Sequence, residues 1–251
     1  MKNRNIKLYI HAFKKNKSAV VGLSIIVIMI FIALFGPFFV PYPEDAIGKV
    51  NLDNKLQPPS ASHFFGTDEV GNDVFTRVIV GSRTTFLISF LVTFIAIIIG
   101  VPLGIVAGYS NRYLQETIMR ITDVFLSIPA LVLAIAIVGV LGPGIINAML
   151  ALSLVWWPGY VRLIQAKTLS LKNEYFIMAV KSLGASNLRI IFFHILPNCT
   201  SPIIVKASMD MGMAILGAAS LGFLGLGAQP PMPEWGSMIS IARNYLPTWW
   251  W

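Results

Sequence analysis

The chain has 251 residues, of which 56% are hydrophobic and only 12% charged, a balance that excludes a soluble globular domain and points to an integral membrane protein. Most of the length is therefore taken up by spans of about 20 apolar residues each. The net charge of +8 has to be read by position before it implies a nucleic-acid partner, and the single cysteine, Cys199, excludes an intrachain disulfide or a cysteine-cluster metal site.

Residues 1–17 form a basic tail carrying Lys2, Arg4, Lys7, Lys14, Lys15 and Lys17. The apolar run that follows is too long for a signal peptide, and "FGPFFVPYPEDA" offers no small-residue cleavage site. Residues 18–40 are thus an uncleaved first span, helical because lipid leaves a single chain few other ways to satisfy its backbone. Residues 41–85 form an outer loop. Within "HFFGTDEVGNDVFTRVIVGSRTT", Asn72 is expected to cap a short amphipathic helix with Asp73 and Arg77 paired at i, i+4, ended by Gly81 and Ser82 before the next span. Asp68, Glu69 and Asp73 lack the ligand spacing of an EF-hand, so the expectation here is a capped interfacial helix and not a cation site.

The core, residues 86–222, holds four further spans near 86–109, 124–141, 145–163 and 197–222. Gly100, Gly104 and Gly108 repeat every four residues in the second span, the pattern that lets helix backbones approach closely. Pro102, Pro129 and Pro158 are candidate kinks, and Gly217, Gly222, Gly225 and Gly227 predict a kinked or unwound outer end for the fifth span. Charge within a span marks function by default. Asp123 is expected to pair locally with Arg120. Lys206 and Asp210 share one helical face, either as a self-neutralised pair facing another helix or as a contact in the translocation pathway.

Orientation follows from the positive-inside bias. With the N-terminus inside, Arg112, Arg120, Arg162, Lys167, Lys172, Lys181 and Arg189 join the basic tail in the cytoplasm, and only Lys49, Lys55, Arg77, Arg83 and Arg243 lie outside. The basic balance is topological and requires no nucleic acid. Residues 223–251 then lie outside, and the closing Trp249, Trp250 and Trp251 resemble an interfacial belt before a sixth span expected to be missing from this sequence.

No Gly-x-x-x-x-Gly-Lys phosphate loop, Gly-x-Ser-x-Gly or His-Glu-x-x-His motif occurs, so neither ATP binding by this chain nor hydrolase chemistry is expected. His11, His63 and His194 fall on different sides of the membrane and cannot share a metal. What stands out instead is the polar island "EYFIMAVKSLGASNLRIIFFHILPN", residues 174–198. Asn173 is the expected N-cap; Phe176, Ala179, Val180 and Leu183 form one apolar stripe; Gly184 ends the helix; Ser186 caps a second helix; and Pro197 opens the fifth span. Such a stripe packs either on the protein's own spans or in a groove on a soluble partner, and the residues alone leave both open.

The segment "MAVKSLGASNLRIIFFHILPN" resembles the EAA loop of ABC-importer permeases: Glu-Ala-Ala, three residues, Gly, nine residues, then Ile-x-Leu-Pro. Ala179, Gly184, Leu196 and Pro197 match, whereas Met178, Val180 and His194 depart from it. "FGTDEVGNDVFTRVIVGSRTT", "MRITDVFLSIPALVLAIAI", "SLGFLGLGAQPPMPEWGSMI" and "RNYLPTWW" are similar to the C-type permease of the dipeptide, oligopeptide and nickel importers, over a stretch from about residue 8 to the end. The resemblance implies an all-α polytopic bundle of the type I importer (MetI-like) kind, with six spans in full members. It implies a prokaryotic cytoplasmic-membrane location, a second homologous permease subunit, two ATPase subunits that hold ATP and Mg, and an extracytoplasmic binding protein. No cofactor, metal or catalytic residue is expected in this chain. Peptides or nickel chelates would cross by alternating access, with residues 170–196 as the coupling loop. By the same resemblance Phe176, Met178, Ala179, Val180, Leu183, Gly184, Ala185, Ser186, Arg189, His194 and Pro197 carry the coupling. A channel or an ATP-independent secondary transporter is the alternative.

Overall fold

The computed structural model describes residues 13–251; the basic positions Lys2, Arg4 and Lys7, and His11, lie outside the described residues. Among the described residues there is no strand, only a single bridge between Thr67 and Asp73. The helices are α1 (Lys17–Phe35), α2 (Val74–Tyr109), α3 (Arg112–Ser127), α4 (Ala130–Leu141), α5 (Ile145–Lys172), α6 (Tyr175–Ser182), α7 (Asn187–Ile190), α8 (Leu196–Phe223) and α9 (Trp235–Ala242), with a π-turn at Ile191–Ile195. Lys17–Phe38, Val74–Tyr109 and Asn187–Phe223 are long and apolar enough to cross a membrane, and α3 with α4, bent by 90°, makes a possible fourth span.

The expected third span therefore carries a sharp break. Ile128 and Pro129 are both extended, because proline disfavours the helical conformation in the residue before it. Pro102 and Pro158 sit inside continuous helices. The expected fourth span is α5, 28 residues long. Its Trp156–Tyr160 stretch makes it less apolar than the other spans, and neighbouring helices bury it: Trp157, Tyr160, Val161 and Ile164 are all in the core.

The chain divides into two compact units. The first runs to Phe86 and includes 230–234 and 245–251. Its α1 is capped by Asn16 and buries only Ala33; Ile25, Phe31 and Leu34 are exposed, as suits a helix solvated by lipid. In the loop that follows, the carboxylate of Asp68 accepts from the Val70 and Asn72 backbone N–H groups and from Asn72 Nδ2, and faces Arg77 Nε at 3.5 Å. The helix cap is consequently Asp73, not Asn72: its Oδ2 accepts from Thr76 N at 2.8 Å and its Oδ1 lies 3.0 Å from His63 Nδ1. Arg77 thus pairs with Asp68 and not with Asp73. These carboxylates are spent on internal donors, and no metal-binding cluster occurs among the described residues. Burial, opposed chiefly by a backbone hydrogen bond, pushes the Glu69 carboxyl above the usual carboxylate range. The expected stop at Gly81 and Ser82 does not occur. One glycine costs a helix only about 1 kcal/mol, and the Ser82 hydroxyl is satisfied by the Ile79 carbonyl.

The second unit covers 87–229 and 235–244 and is organised around α5. The glycine ridge of α2 lies directly on it. A Cβ on Gly104 would stand 2.8 Å from Ile164 Cβ and from the Val161 carbonyl, and one on Gly108 2.6 Å from Thr168 Cβ. Gly217 in α8 packs toward Leu152, and α8 stays helical to Phe223; the predicted unwinding is confined to the turn at Gly225, which has φ +77°. Two apolar clusters result, one around Val138, Leu152 and Leu221, the other around Val161, Ile164, Ile177, Ile190 and Ile195.

Candidate functional site

The second cluster anchors the loop between α5 and α8. Asn173 ends α5 by donating its backbone N–H toward Leu171 and Ser170 carbonyls, so the N-cap of α6 is Glu174 and not the predicted Asn173. Glu174 adds no side-chain cap bond. At its other end α6 closes as foreseen. Gly184 has φ +83°, its N–H donates to Lys181 O at 3.0 Å, and Ala185 N–H donates to Val180 O at 3.3 Å. This pair of bonds is a Schellman motif, which needs a left-handed residue at the Gly184 position. No atom lies within 4 Å of a Cβ placed there, so backbone conformation alone selects glycine.

The buried face of α6 differs from the predicted stripe. Ile177, which the stripe omitted, is 2% exposed and packs in the core with half-buried Val180 and Ala185. Phe176, Met178, Ala179 and Leu183 face outward, Leu183 being 87% exposed. Helix α6 is apolar on two faces, and a periodicity count cannot tell which is covered. Tyr175 and Leu188 extend the exposed apolar surface, with Ser182 and Arg189 beside it.

Ser186 caps α7 as predicted, accepting from Arg189 N. The helix does not then end at Pro197. Its missing N–H and its ring disturb the preceding turn, and the chain absorbs this in the π-turn Ile191–Ile195, which contains half-buried His194. Asn187–Phe223 is consequently one rod of 37 residues. A further contact escaped the sequence reading. The Tyr109 hydroxyl donates to Asn187 Oδ1 at 3.0 Å, and Lys172 Nζ donates to Tyr109 O at 3.1 Å while standing 5.3 Å from its ring centroid. The ends of α2 and α5 and the start of the rod are tied through Tyr109. Its only sequence signal is a tyrosine closing an apolar run.

In the membrane-spanning part, Lys206 Nζ lies 3.1 Å from Asp210 Oδ2, with both side chains mostly covered. The ammonium also stands 5.0 Å from the Tyr160 ring centroid. The pair faces α5. Asp123, by contrast, pairs with Arg162 of α5 and not with Arg120, because α3 packs against α5 and brings this sequence-distant arginine into reach.

Residues 100–249 match the family described as binding-protein-dependent transport system inner membrane component, and residues 6–59 match the N-terminal TM domain of oligopeptide transport permease C. The chain is 49% identical over 233 residues to the dipeptide transport system permease protein DppC of Alkalihalophilus pseudofirmus, covering 93% of this chain and 76% of the relative. It is 42% identical to the di/tripeptide transport system permease protein DppC of Pseudomonas aeruginosa, covering 98% and 82%. It is 45% identical to the probable D,D-dipeptide transport system permease protein DdpC of Escherichia coli K12, covering 95% and 79%. Among solved structures, a chain of the inward-facing MetNI methionine ABC transporter shares the fold, with a TM-score of 0.54 and 20% identity over 66% of this chain and 85% of that one.

Proposed function

The chain belongs to the family of binding-protein-dependent transport system inner membrane components, an ABC-importer permease of the peptide-transporter group, and from that premise we propose that it moves peptides inward by alternating access powered by partner ATPase subunits. The observation that carries this reading is the outward apolar face of α6, with Tyr175, Phe176, Met178 and Leu183 exposed. The positive-inside count puts this loop in the cytoplasm with the N-terminus, where lipid cannot cover it. An exposed apolar patch on a short rigid helix fits a groove on a soluble protein. The occupant of the coupling role is thus the loop 170–196, docked on an ATP-binding-cassette subunit that holds ATP and Mg.

The loop's construction supports transmission of force. Ile177, Ile190 and Ile195 fix it to the core, and its second half is continuous with α8, so displacement of the loop levers the whole rod. A second homologous permease, two ATPases and an extracytoplasmic binding protein complete the assembly we propose. The peptide names of the relatives support a peptide cargo over nickel chelates. ATP hydrolysis belongs to the partners, and this chain contributes no catalytic residue.

The test is to co-express the chain with the ATPase and homologous permease encoded alongside it, extract gently, and measure ATPase recovery and ATP-dependent dipeptide uptake. Wild type retains the ATPase. Gly184→Pro, which cannot adopt φ +83°, and Ala179→Asp insert normally but lose both ATPase and uptake. Undiminished uptake in both variants defeats the coupling assignment; ATP-independent uptake by wild type would instead indicate a channel or secondary transporter; and nickel-chelate uptake in place of peptide would reassign the cargo.

A further inference from the structure

Helix α8 is the least apolar of the three helices that can cross a membrane by themselves, yet much of its surface is uncovered. Besides Ile204, Val205 and Met209, the uncovered positions include Asn198, Thr200, Ser201 and Ser208. In α1 the uncovered polar side chains beyond Lys17 are Ser18 and Ser24, both in its first half, and the run after them is wholly apolar. Polar groups repeated along an uncovered span are expected where it borders a watery pathway.

Lys206 and Asp210 stand in the middle of this helix. The lysine lies flat on α5: a Cβ on Gly159 would be 3.2 Å from its Nζ, so the absence of a side chain there makes its seat. The ammonium is stacked over the ring of Tyr160, which is fully buried. The Tyr160 hydroxyl is itself buried. One spot therefore offers a cation, an anion and an aromatic face, and both charged side chains keep some exposure, 29% for Lys206 and 18% for Asp210.

We infer that the Lys206–Asp210 pair, seated on Gly159 and Tyr160, is a transient binding site in the pathway for the two charged ends of a zwitterionic peptide. This rests on the importer reading above. The empty site is self-neutralised, so it holds no uncompensated charge. Separating the pair within the bundle leaves two buried charges alone, which is strongly unfavourable. A ligand bearing only one charge can repair half of that loss. A peptide with a free ammonium for Asp210 and a free carboxylate for Lys206 replaces the internal pair with two charge-assisted contacts.

The experiment uses the assembled transporter in proteoliposomes, with binding protein loaded with a labelled zwitterionic dipeptide, and records uptake and ATP hydrolysis together. The variants are Asp210→Asn, Lys206→Met and the double Lys206→Met/Asp210→Leu. Each is expected to lower uptake by at least about tenfold, while ATP hydrolysis stimulated by the loaded binding protein persists. The double variant decides against a packing role, because it leaves no unpaired charge and a merely structural pair would be rescued by it. Wild-type uptake in the double variant overturns the site. If the double variant does not assemble, the reversed pair Lys206→Asp/Asp210→Lys keeps self-neutralisation but moves the ammonium off Tyr160. Low uptake with retained hydrolysis supports the site, and wild-type uptake overturns it. Absence of ATP-dependent uptake in the wild type is a different failure, that of the importer reading.

Discussion

At Gly184 and Gly104 the same residue type is required for different reasons, and the two substitutions separate them. Gly184 has empty space around it and φ +83°, so Gly184→Ala carries backbone strain alone, about 1–2 kcal/mol. The variant should insert normally and retain the ATPase only partly in a pull-down, between wild type and Gly184→Pro. Gly104 is in close contact with the α5 backbone and Ile164; Gly104→Ala overpacks this crossing and should cost about 1–3 kcal/mol, read as a lower unfolding temperature in detergent. Glu69 is tested by pH. Because burial holds its pKa above the ordinary value, its favourable contribution is complete below the unfolded pKa of about 4.3 and is lost as pH rises through the folded one. Glu69→Gln should therefore match wild type in acid and become the more stable of the two toward about pH 8, measured by tryptophan fluorescence on heating. Gly184 was legible because its role is local. The caps expected at Asn72 and Asn173 fall one residue early, because local loop and turn hydrogen bonds claim both residues first.

Among the elements, the sequence read helix existence well and helix limits poorly. The Gly81–Ser82 stop in α2 failed because a glycine weakens a helix without ending it. The bend before α4 was among the kinks that proline predicted. In α6 the helix, its turn and one apolar stripe are legible, but what covers the stripe is not, since which of two apolar faces is buried depends on Ile190, Val161 and Ile164 from distant segments. The Tyr109 junction joins residues 63 and 78 positions apart and leaves no local trace. It leads to a prediction about transmission. Tyr109→Phe removes only the hydroxyl that holds Asn187, worth about 0.5–1.5 kcal/mol, and should raise ATP consumed per peptide imported while leaving ATPase binding intact. Asn187→Ala should do the same, and the double variant should be no worse than either single. Additive losses would show that the two residues act separately.

For the molecule as a whole, composition alone is enough to read a membrane protein, and the motifs at 65–85, 119–137, 178–198, 220–239 and 243–250 are enough to place its family. The partners are not written in any single residue. They are inferred from an apolar face that the chain's own core leaves uncovered, on a loop that charge assigns to the cytoplasm. The most direct measurement is photocrosslinking from Leu183, replaced by a benzoyl-phenylalanine, in the assembled and transport-active complex, with Ile47 in the outer loop carrying the same probe as control. The account predicts a permease–ATPase adduct from Leu183 and none from Ile47. A complex that hydrolyses ATP and imports peptide, yet gives no ATPase adduct from Leu183, would contradict it.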